Sequence, residues 1–336
     1  MFDKNKKRSA LIGIASFLLL TGLLLWFLRH LDQDIFAVLA DTSGWMLVLL
    51  LTMSCLYYLL DAILFVAVLR DQAPRFSLWD GVELTYLGLF GKTALITGGA
   101  LPLQAIYLHK KGIMVGSSLG IHTVLSIIQK MAVVLYALVL LLFHWRWVRS
   151  VTPGVRIILA VSLTVCTLII LALLLLCTSR RVCGLAYRLL DKLPQSGKWP
   201  QRKLRWHDQI ATLYQQTQTL FQTKEKFFQI LLLDFVKLFV QFCIPYAVLG
   251  ELGLHPYTFL QCQTLAALTL MLASSIPNIA GMGSAELAFM LVFSQSLGDY
   301  TAATVVYYRC ATYYFPFILS IFMVFFIQKR LARKKT

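Results

Sequence analysis

Long apolar runs recur along this chain and restrict what it can fold into. They lie at about residues 10–28, 45–69, 82–101, 116–143, 157–178, 227–249, 257–276, 284–297 and 302–327. A helix needs about 20 apolar residues to cross the hydrocarbon core of a bilayer. Hydrophobic residues make up 59% of the 336 residues and charged residues only 14%, whereas soluble domains carry about a quarter charged residues. The sequence therefore predicts an all-α fold, a polytopic membrane helix bundle.

Lysine and arginine predict the orientation of these helices, because they collect in cytoplasmic loops. Both termini are basic, at 4–8 and at 329–335, and so is the long loop at 179–226. The loop at 29–44 is acidic. We therefore expect both termini and the basic loop at 179–226 in the cytoplasm, and the loop at 29–44 outside.

The formal net charge of +16 is explained by this excess of lysine and arginine in the cytoplasmic segments. It also predicts attraction to the anionic membrane surface. A nucleic-acid-binding chain would instead need a soluble basic fold with aromatic platforms, so we expect no nucleic-acid partner. The seven cysteines show neither Cys-x-x-Cys nor Cys/His spacing, and we expect no metal and no cofactor. The scattered histidines do not form a catalytic cluster, and we expect no enzymatic activity.

Two glycine- and proline-rich stretches, at about 82–110 and 257–299, are predicted to be re-entrant hairpins. With hairpins there, about six full spans remain and both basic termini lie on one side of the membrane. Broken helices at membrane depth persist only where protein or a water-filled cavity satisfies the freed backbone groups. The layout is a single membrane domain, 1–336, with an inverted-topology repeat: a first repeat at about 9–143 and a second at about 155–328. Transporters of this kind place their substrate site between the repeats.

A second layout stays open. The short loop at 144–156, which the hairpin layout places outside, carries three arginines. A full crossing by 82–101 would move this loop inside, but it would also move the larger basic loop at 179–226 outside. The segment 200–226 reads either as an amphipathic helix on the cytoplasmic face or as a simple connector.

Ionisable side chains inside apolar spans are costly and usually face a partner or a cavity. Those in this chain are Asp61, Lys92, His122, Lys130, Asp234, Lys237, Glu286 and Arg309. Asp234 and Lys237 lie three residues apart on one helix, so we predict a structural ion pair between them. Asp61 is expected to pair with a lysine of a neighbouring helix, and His122 to be an interior, hydrogen-bonded histidine. Lys92 and Lys130 either offer positive charge to a ligand or, for Lys92, snorkel to an interface.

The second hairpin contains the sharpest motif, in which Pro277 is followed by Gly281 and Gly283. Proline stops a helix, and glycine adopts backbone conformations that other residues resist. Ser284 is predicted to cap the next helix, which places Glu286 in its first turn.

Glu286 has two interpretations. It either stabilises the helix dipole alone or lines a polar pocket together with free backbone N–H groups, which attract phosphate. Arg309, in the last span, would neutralise Glu286 or hold a phosphate with two hydrogen bonds.

Three short motifs follow one another along the chain. The first comprises Gly98, Gly99, Pro102, Gln104, Tyr107, Leu108 and Gly112. The second comprises Pro277, Gly281, Gly283 and Glu286, and the third Tyr308, Arg309, Thr312, Tyr313 and Tyr314. In this order they resemble segments of the lysylphosphatidylglycerol synthase transmembrane, flippase-like family, over nearly the whole chain.

The resemblance implies a lipid flippase or translocase that moves a phospholipid, notably aminoacylated phosphatidylglycerol, between the leaflets of a bacterial cytoplasmic membrane. It also implies a link to antimicrobial peptide resistance. Well-known members carry a soluble aminoacyl-transferase domain; we expect none in this chain and no lysyltransferase activity. With the charges above, the predicted substrate-binding and translocation residues are Lys92, Gly98, Gly99, Pro102, Gln104, Lys130, Pro277, Gly281, Gly283, Glu286, Arg309 and Tyr313.

Two alternatives to a lipid flippase remain. The same scaffold would also suit a transporter of a small anionic or polyprenyl-linked solute. The chain would otherwise serve as the membrane partner of a separate lipid-modifying enzyme, a phosphatidylglycerol lysyltransferase, which the basic loop would recruit.

Overall fold

A computed structural model describes residues 42–94, 100–151, 156–179, 223–275, 283–298 and 300–333, together with a few isolated positions. The predicted first span at 10–28 and almost all of the basic loop at 179–226 lie outside the described residues. The same holds for the two connections at 95–99 and 276–282, which contain the predicted site residues Gly98, Gly99, Pro277 and Gly281.

Nearly all of the described residues are helical, and none of them forms a strand. The helices are α1 Gly44–Leu69, α2 Leu78–Ala94, α3 Ala100–Lys110, α4 Val115–Val151, α5 Arg156–Thr178, α6 Lys224–Glu251, α7 Phe259–Ser275, α8 Ser284–Leu297, α9 Tyr300–Arg309 and α10 Phe315–Arg333. A five-residue π-helical segment, Cys310–Tyr314, joins α9 to α10.

Within this part of the chain, four helical stretches are long and apolar enough to cross a membrane: Gly44–Leu69, Gly120–Ser150, Lys224–Glu251 and Tyr300–Arg330. The shortest of them is about 39 Å long at 1.5 Å per residue, against about 30 Å for the hydrocarbon core. The prediction of an all-helical, multi-pass membrane protein is therefore confirmed. The count of six spans and the inverted repeat stay predictions.

The helices α2 and α3, here called the first helical pair, pack side by side and run antiparallel. Gln104 of α3 contacts Leu84 of α2, and Tyr107, one turn further on, contacts Asp80 and Glu83, one turn further back. The helices α7 and α8, the second helical pair, also pack against each other. At 17, 11, 17 and 14 residues, each of the four is about 17–26 Å long, which is too short to cross the hydrocarbon core alone.

The structure changes two predicted boundaries. The stretch 82–101 is not one continuous helix, because α2 ends at Ala94 and the chain has reversed where α3 begins. Helix α4 continues to Val151, past the predicted end at 143, so the prediction of a loop from residue 144 is wrong. No glycine or proline occurs between Ile121 and Pro153, and nothing in the backbone chemistry therefore stops the helix earlier.

Two glycines let α2 lie close to both of its neighbours. A Cβ atom added at Gly81 would lie 2.6 Å from the backbone oxygen of Ala62 in α1. On the α3 side, a Cβ at Gly88 would lie 2.2 Å from the Nε2 atom of Gln104. Helix α2 is thus held between α1 and α3 at distances that only glycine permits.

A buried ionic network holds the end of the first helical pair that lies away from residues 95–99. The Tyr107 hydroxyl donates to Glu83 Oε2 at 2.7 Å, and Arg330 Nη1 of α10 lies 2.6 Å from Glu83 Oε1. Lys111 Nζ lies 2.5 Å from Asp80 Oδ1. The network therefore attaches α3 and α10 to the same turn of α2.

The substitution Gly81→Ala is expected to lower the free energy of unfolding by about 1–3 kcal/mol, since the new methyl group meets backbone rather than a movable side chain. The measurement is thermal unfolding of the purified protein in detergent. Gly250→Ala is the matched control, because a Cβ at Gly250 meets no atom within 4 Å. Equal midpoints for the two variants would contradict the close packing of α1 and α2.

Candidate functional site

A cavity of about 460 Å³ lies at the centre of the described helices. Both helical pairs reach it with the ends that flank their connections: α2 contributes Lys92 and Thr93, α7 contributes Ser274, and α8 contributes Ser284. Helices α1, α4, α6 and α9 and the π-helical segment form the rest of the wall. The cavity therefore lies between the end of α2 and the adjoining ends of α7 and α8.

Three long helices turn a stripe of polar residues toward this region. The stripes are Ser54, Tyr57, Tyr58 and Asp61 on α1, His122, Ser126, Gln129 and Lys130 on α4, and Asp234, Lys237 and Gln241 on α6. Apart from the adjacent pairs Tyr57–Tyr58 and Gln129–Lys130, the spacing within each stripe is three or four residues, which places the side chains on one helix face. The cost of burying charge predicts only the ionisable members of these stripes. The neutral polar members could have been found from their spacing relative to the ionisable ones.

Three cations face the cavity, namely Lys92, Lys130 and Arg309. The side chains of Lys92 and Lys130 are exposed to it, although both lie in otherwise apolar helices. Within the described ranges, no carboxylate is in ion-pair contact with either lysine. The two ammonium groups therefore keep their charge available for a ligand.

Arg309 is held differently from the two lysines. Its Nε atom lies 2.8 Å from Glu286 Oε1, and the two side chains are only 6% and 2% exposed. The guanidinium also lies over the ring of Tyr313, 4.4 Å from its centroid, a cation–π contact. Arg309 thus has a permanent partner inside the protein.

Glu286 also fixes the start of α8. Its Oε2 atom accepts a hydrogen bond from the backbone N–H of Gly283 at 2.8 Å. Gly283 is the N-cap and has φ +95°, a conformation that favours glycine. The prediction that Ser284 caps α8 is therefore wrong. Ser284 is the first helical residue, because the backbone of Gly283 makes the turn and the carboxylate of Glu286 accepts the N–H of Gly283.

A second charged group, which we call the ionic triad, joins α1 to α6 beside the cavity. Lys237 Nζ lies 2.8 Å from Asp234 Oδ1 and 2.9 Å from Asp61 Oδ1. The ammonium also lies 5.5 Å from the ring centroid of Tyr57, which lines the cavity. The predicted pair of Asp234 and Lys237 is thus in contact, with Asp61 as a further partner.

The π-helical segment at 310–314 widens the last helix directly after Arg309. Pro316 has no N–H and cannot donate to the carbonyl of Thr312 four residues earlier. The hydroxyl of Tyr58 in α1 donates to that carbonyl at 3.4 Å. Such segments are frequent at functional sites, and this one contributes Thr312 and Tyr313 to the cavity wall.

The remaining predicted site residues lie elsewhere. Gln104 lies between α2 and α3, where its Nε2 donates to the backbone oxygen of Leu84 at 3.1 Å, and it is not part of the cavity wall. Pro102 lies in the first turn of α3, where no backbone donor is needed. His122, which is predicted to be an interior, hydrogen-bonded histidine rather than a site residue, is indeed buried, in edge contact with the ring of Phe65, but its Nε2 has no hydrogen-bond partner among the described residues. No group of three or more histidine, cysteine or acidic side chains suited to a metal occurs among the described residues.

Removing one partner of a buried ion pair leaves the other uncompensated, which costs about 3–5 kcal/mol. We therefore expect Glu286→Gln and Arg309→Gln each to lower the free energy of unfolding by about that much. The double variant should lose clearly less than the sum, because neither charge is then left alone. Unfolding of the four proteins in detergent measures this coupling; strictly additive losses would mean that the contact contributes nothing.

A protein-family model described as the lysylphosphatidylglycerol synthase TM region matches residues 13–320. No curated protein and no solved structure matches the chain. The match includes every helix from α1 to α9, the π-helical segment and all of the cavity wall. It confirms the resemblance carried by the three sequence motifs, and the chain belongs to the lysylphosphatidylglycerol synthase transmembrane-region family.

Proposed function

We propose that this protein binds the phosphate of an anionic phospholipid in the central cavity and moves the lipid between leaflets without changing its covalent structure. One observation carries the proposal: three cations from three different helices, Lys92, Lys130 and Arg309, line a single cavity. In this proposal the protein lies in a bacterial cytoplasmic membrane with both termini in the cytoplasm.

The depth of the cavity supports transfer across the membrane. Tyr57 lies midway along α1 and Lys130 near the middle of α4, so the polar wall lies far from both ends of the spanning helices. A charged headgroup crosses hydrocarbon only at a cost of many kcal/mol. A polar wall at half depth removes much of this cost, because the phosphate exchanges water for hydroxyl, amide and ammonium groups.

The charge of the wall indicates which headgroup fits. Glu286 balances Arg309, whereas Lys92 and Lys130 have no such partner among the residues that the structure describes. An ammonium–phosphate contact is a strong, charge-assisted hydrogen bond. The wall therefore suits a headgroup with net negative charge, such as phosphatidylglycerol, better than one whose phosphate is offset by a cationic amino acid. The family description names lysylphosphatidylglycerol, the aminoacylated form of phosphatidylglycerol. It supports a lipid built on phosphatidylglycerol, whereas the preference for the form without the amino acid rests on the charge of the wall alone.

The test measures transfer of labelled phosphatidylglycerol between leaflets in proteoliposomes, with aminoacylated phosphatidylglycerol as a second substrate. We expect Lys92→Gln and Lys130→Gln each to slow transfer about tenfold, since a lost charge-assisted hydrogen bond is worth about 1.5 kcal/mol. Lys329→Gln is the matched control: it removes the same charge from an exposed side chain near the end of α10. Variants that fold but transfer lipid at the unaltered rate would contradict the proposal.

The same vesicles distinguish a lipid headgroup from a free anion. Flux of glycerophosphate or inorganic phosphate through the unaltered protein, without lipid transfer, would replace the lipid proposal by a solute transporter on the same site. Transfer of lipid without flux of these anions is the expected outcome.

A further inference from the structure

A second, smaller cavity adjoins the central one between α4, α5 and α7. It has a volume of about 30 Å³, roughly the share of one water molecule in the liquid. Lys130, Val133 and Ser274 belong to the walls of both cavities. Beyond these shared residues the wall is mainly apolar, with Val134, Ile170 and Met271 among its members. The wall therefore becomes less polar from Lys130 into the small cavity. A phospholipid changes in the same way from its phosphate to its acyl chains.

Helix α5 separates this small cavity from the surroundings of the bundle. It packs mainly on α4 and α7, and it turns Val161, Val165 and Leu168 outward with 56%, 40% and 59% exposure. Side chains this apolar and this exposed require lipid rather than water as their solvent. Among the described helices, α5 is therefore the one that lies between the small cavity and the acyl-chain region of the bilayer.

The contact of α5 with α7 beside this cavity includes hydrogen bonds between small polar groups, next to an apolar part in which Leu159 of α5 belongs to the main hydrophobic core. The hydroxyls of Ser162 and Ser275 lie 2.7 Å apart, and Cys166 Sγ lies 3.2 Å from the same Ser275 hydroxyl. A hydrogen bond between neutral groups contributes only about 0.5–1.5 kcal/mol. Breaking these hydrogen bonds thus costs little compared with separating the buried apolar side chains of the core cluster, to which Leu159 of α5 belongs.

We infer that the gap between α4, α5 and α7 is a lateral opening that admits one acyl chain of the transported lipid while the phosphate lies at Lys130. The inference rests on the proposed function and adds the route by which the lipid enters. At 30 Å³ the gap is closed in this structure, and α5 moves away from α7 when a chain enters.

Cys166 lies in the wall of the gap and provides a direct test. A chain that keeps Cys166 as its only cysteine is treated with an alkyl methanethiosulfonate, which attaches an alkyl chain through a disulfide that reductant removes. The matched control keeps Cys55 instead, an exposed thiol on α1 outside both cavity walls. Two quantities are measured: transfer of phosphatidylglycerol between leaflets, and binding of glycerophosphoglycerol, the same headgroup without acyl chains.

We expect the alkyl group at Cys166 to slow lipid transfer at least tenfold and to change headgroup binding by less than twofold, with full recovery after reduction. The group at Cys55 should change neither quantity. Unchanged lipid transfer, or an equal loss of lipid transfer and headgroup binding, would overturn the lateral opening while leaving the proposed function in place. Absence of lipid transfer in the unmodified single-cysteine chain and in the unaltered protein would overturn the proposed function itself.

Discussion

A charge buried at membrane depth persists only if another group of the protein compensates it, and Glu286 is compensated from two directions. One carboxylate oxygen accepts the N–H of Gly283, and the other contacts the guanidinium of Arg309. This single side chain sets where α8 begins and holds that start against the end of α9. Glu286 also distinguishes Arg309 from the other two cavity cations. Arg309 is paired with a carboxylate of the protein, whereas Lys92 and Lys130 have no such partner among the described residues.

An amphipathic substrate needs a polar environment and an apolar one at the same depth. The central cavity offers hydroxyl, amide and ammonium groups, whereas the gap behind α5 offers mainly valine, isoleucine and methionine side chains. Lys130 belongs to both walls. The bundle therefore places the change from polar to apolar at one residue of α4, as the proposed binding of a lipid requires.

Much of this arrangement follows from the sequence, because charge is costly in apolar helices. That cost alone identified Lys92 and Lys130, and apolar length identified most of the helices. Tyr57 was missed, since a neutral hydroxyl costs little and only its spacing from other polar residues of α1 reveals it. The expected pairing of Asp61 with a lysine of a neighbouring helix is confirmed. That this lysine is Lys237 of α6 depends on how the helices pack, which periodicity does not encode. The cap assigned to Ser284 failed for a related reason: the backbone of the preceding glycine, rather than a serine hydroxyl, makes the turn.

The π-helical segment at 310–314 has a consequence for the register of the last helix. Each residue of an α-helix advances the side-chain direction by about 100°. The wider turn therefore rotates the side chains that follow it, around the helix axis, relative to the side chains that precede it. Arg309 precedes the segment and faces the cavity; Phe317 and Arg330 follow it and contact Phe90 and Glu83 of α2. With a regular α-helix in its place, these contacts and the direction of Arg309 would be out of phase by one residue. The π-helical segment corrects this offset, so that Arg309 faces the central cavity while Phe317 and Arg330 of the same continuous helix contact the first helical pair.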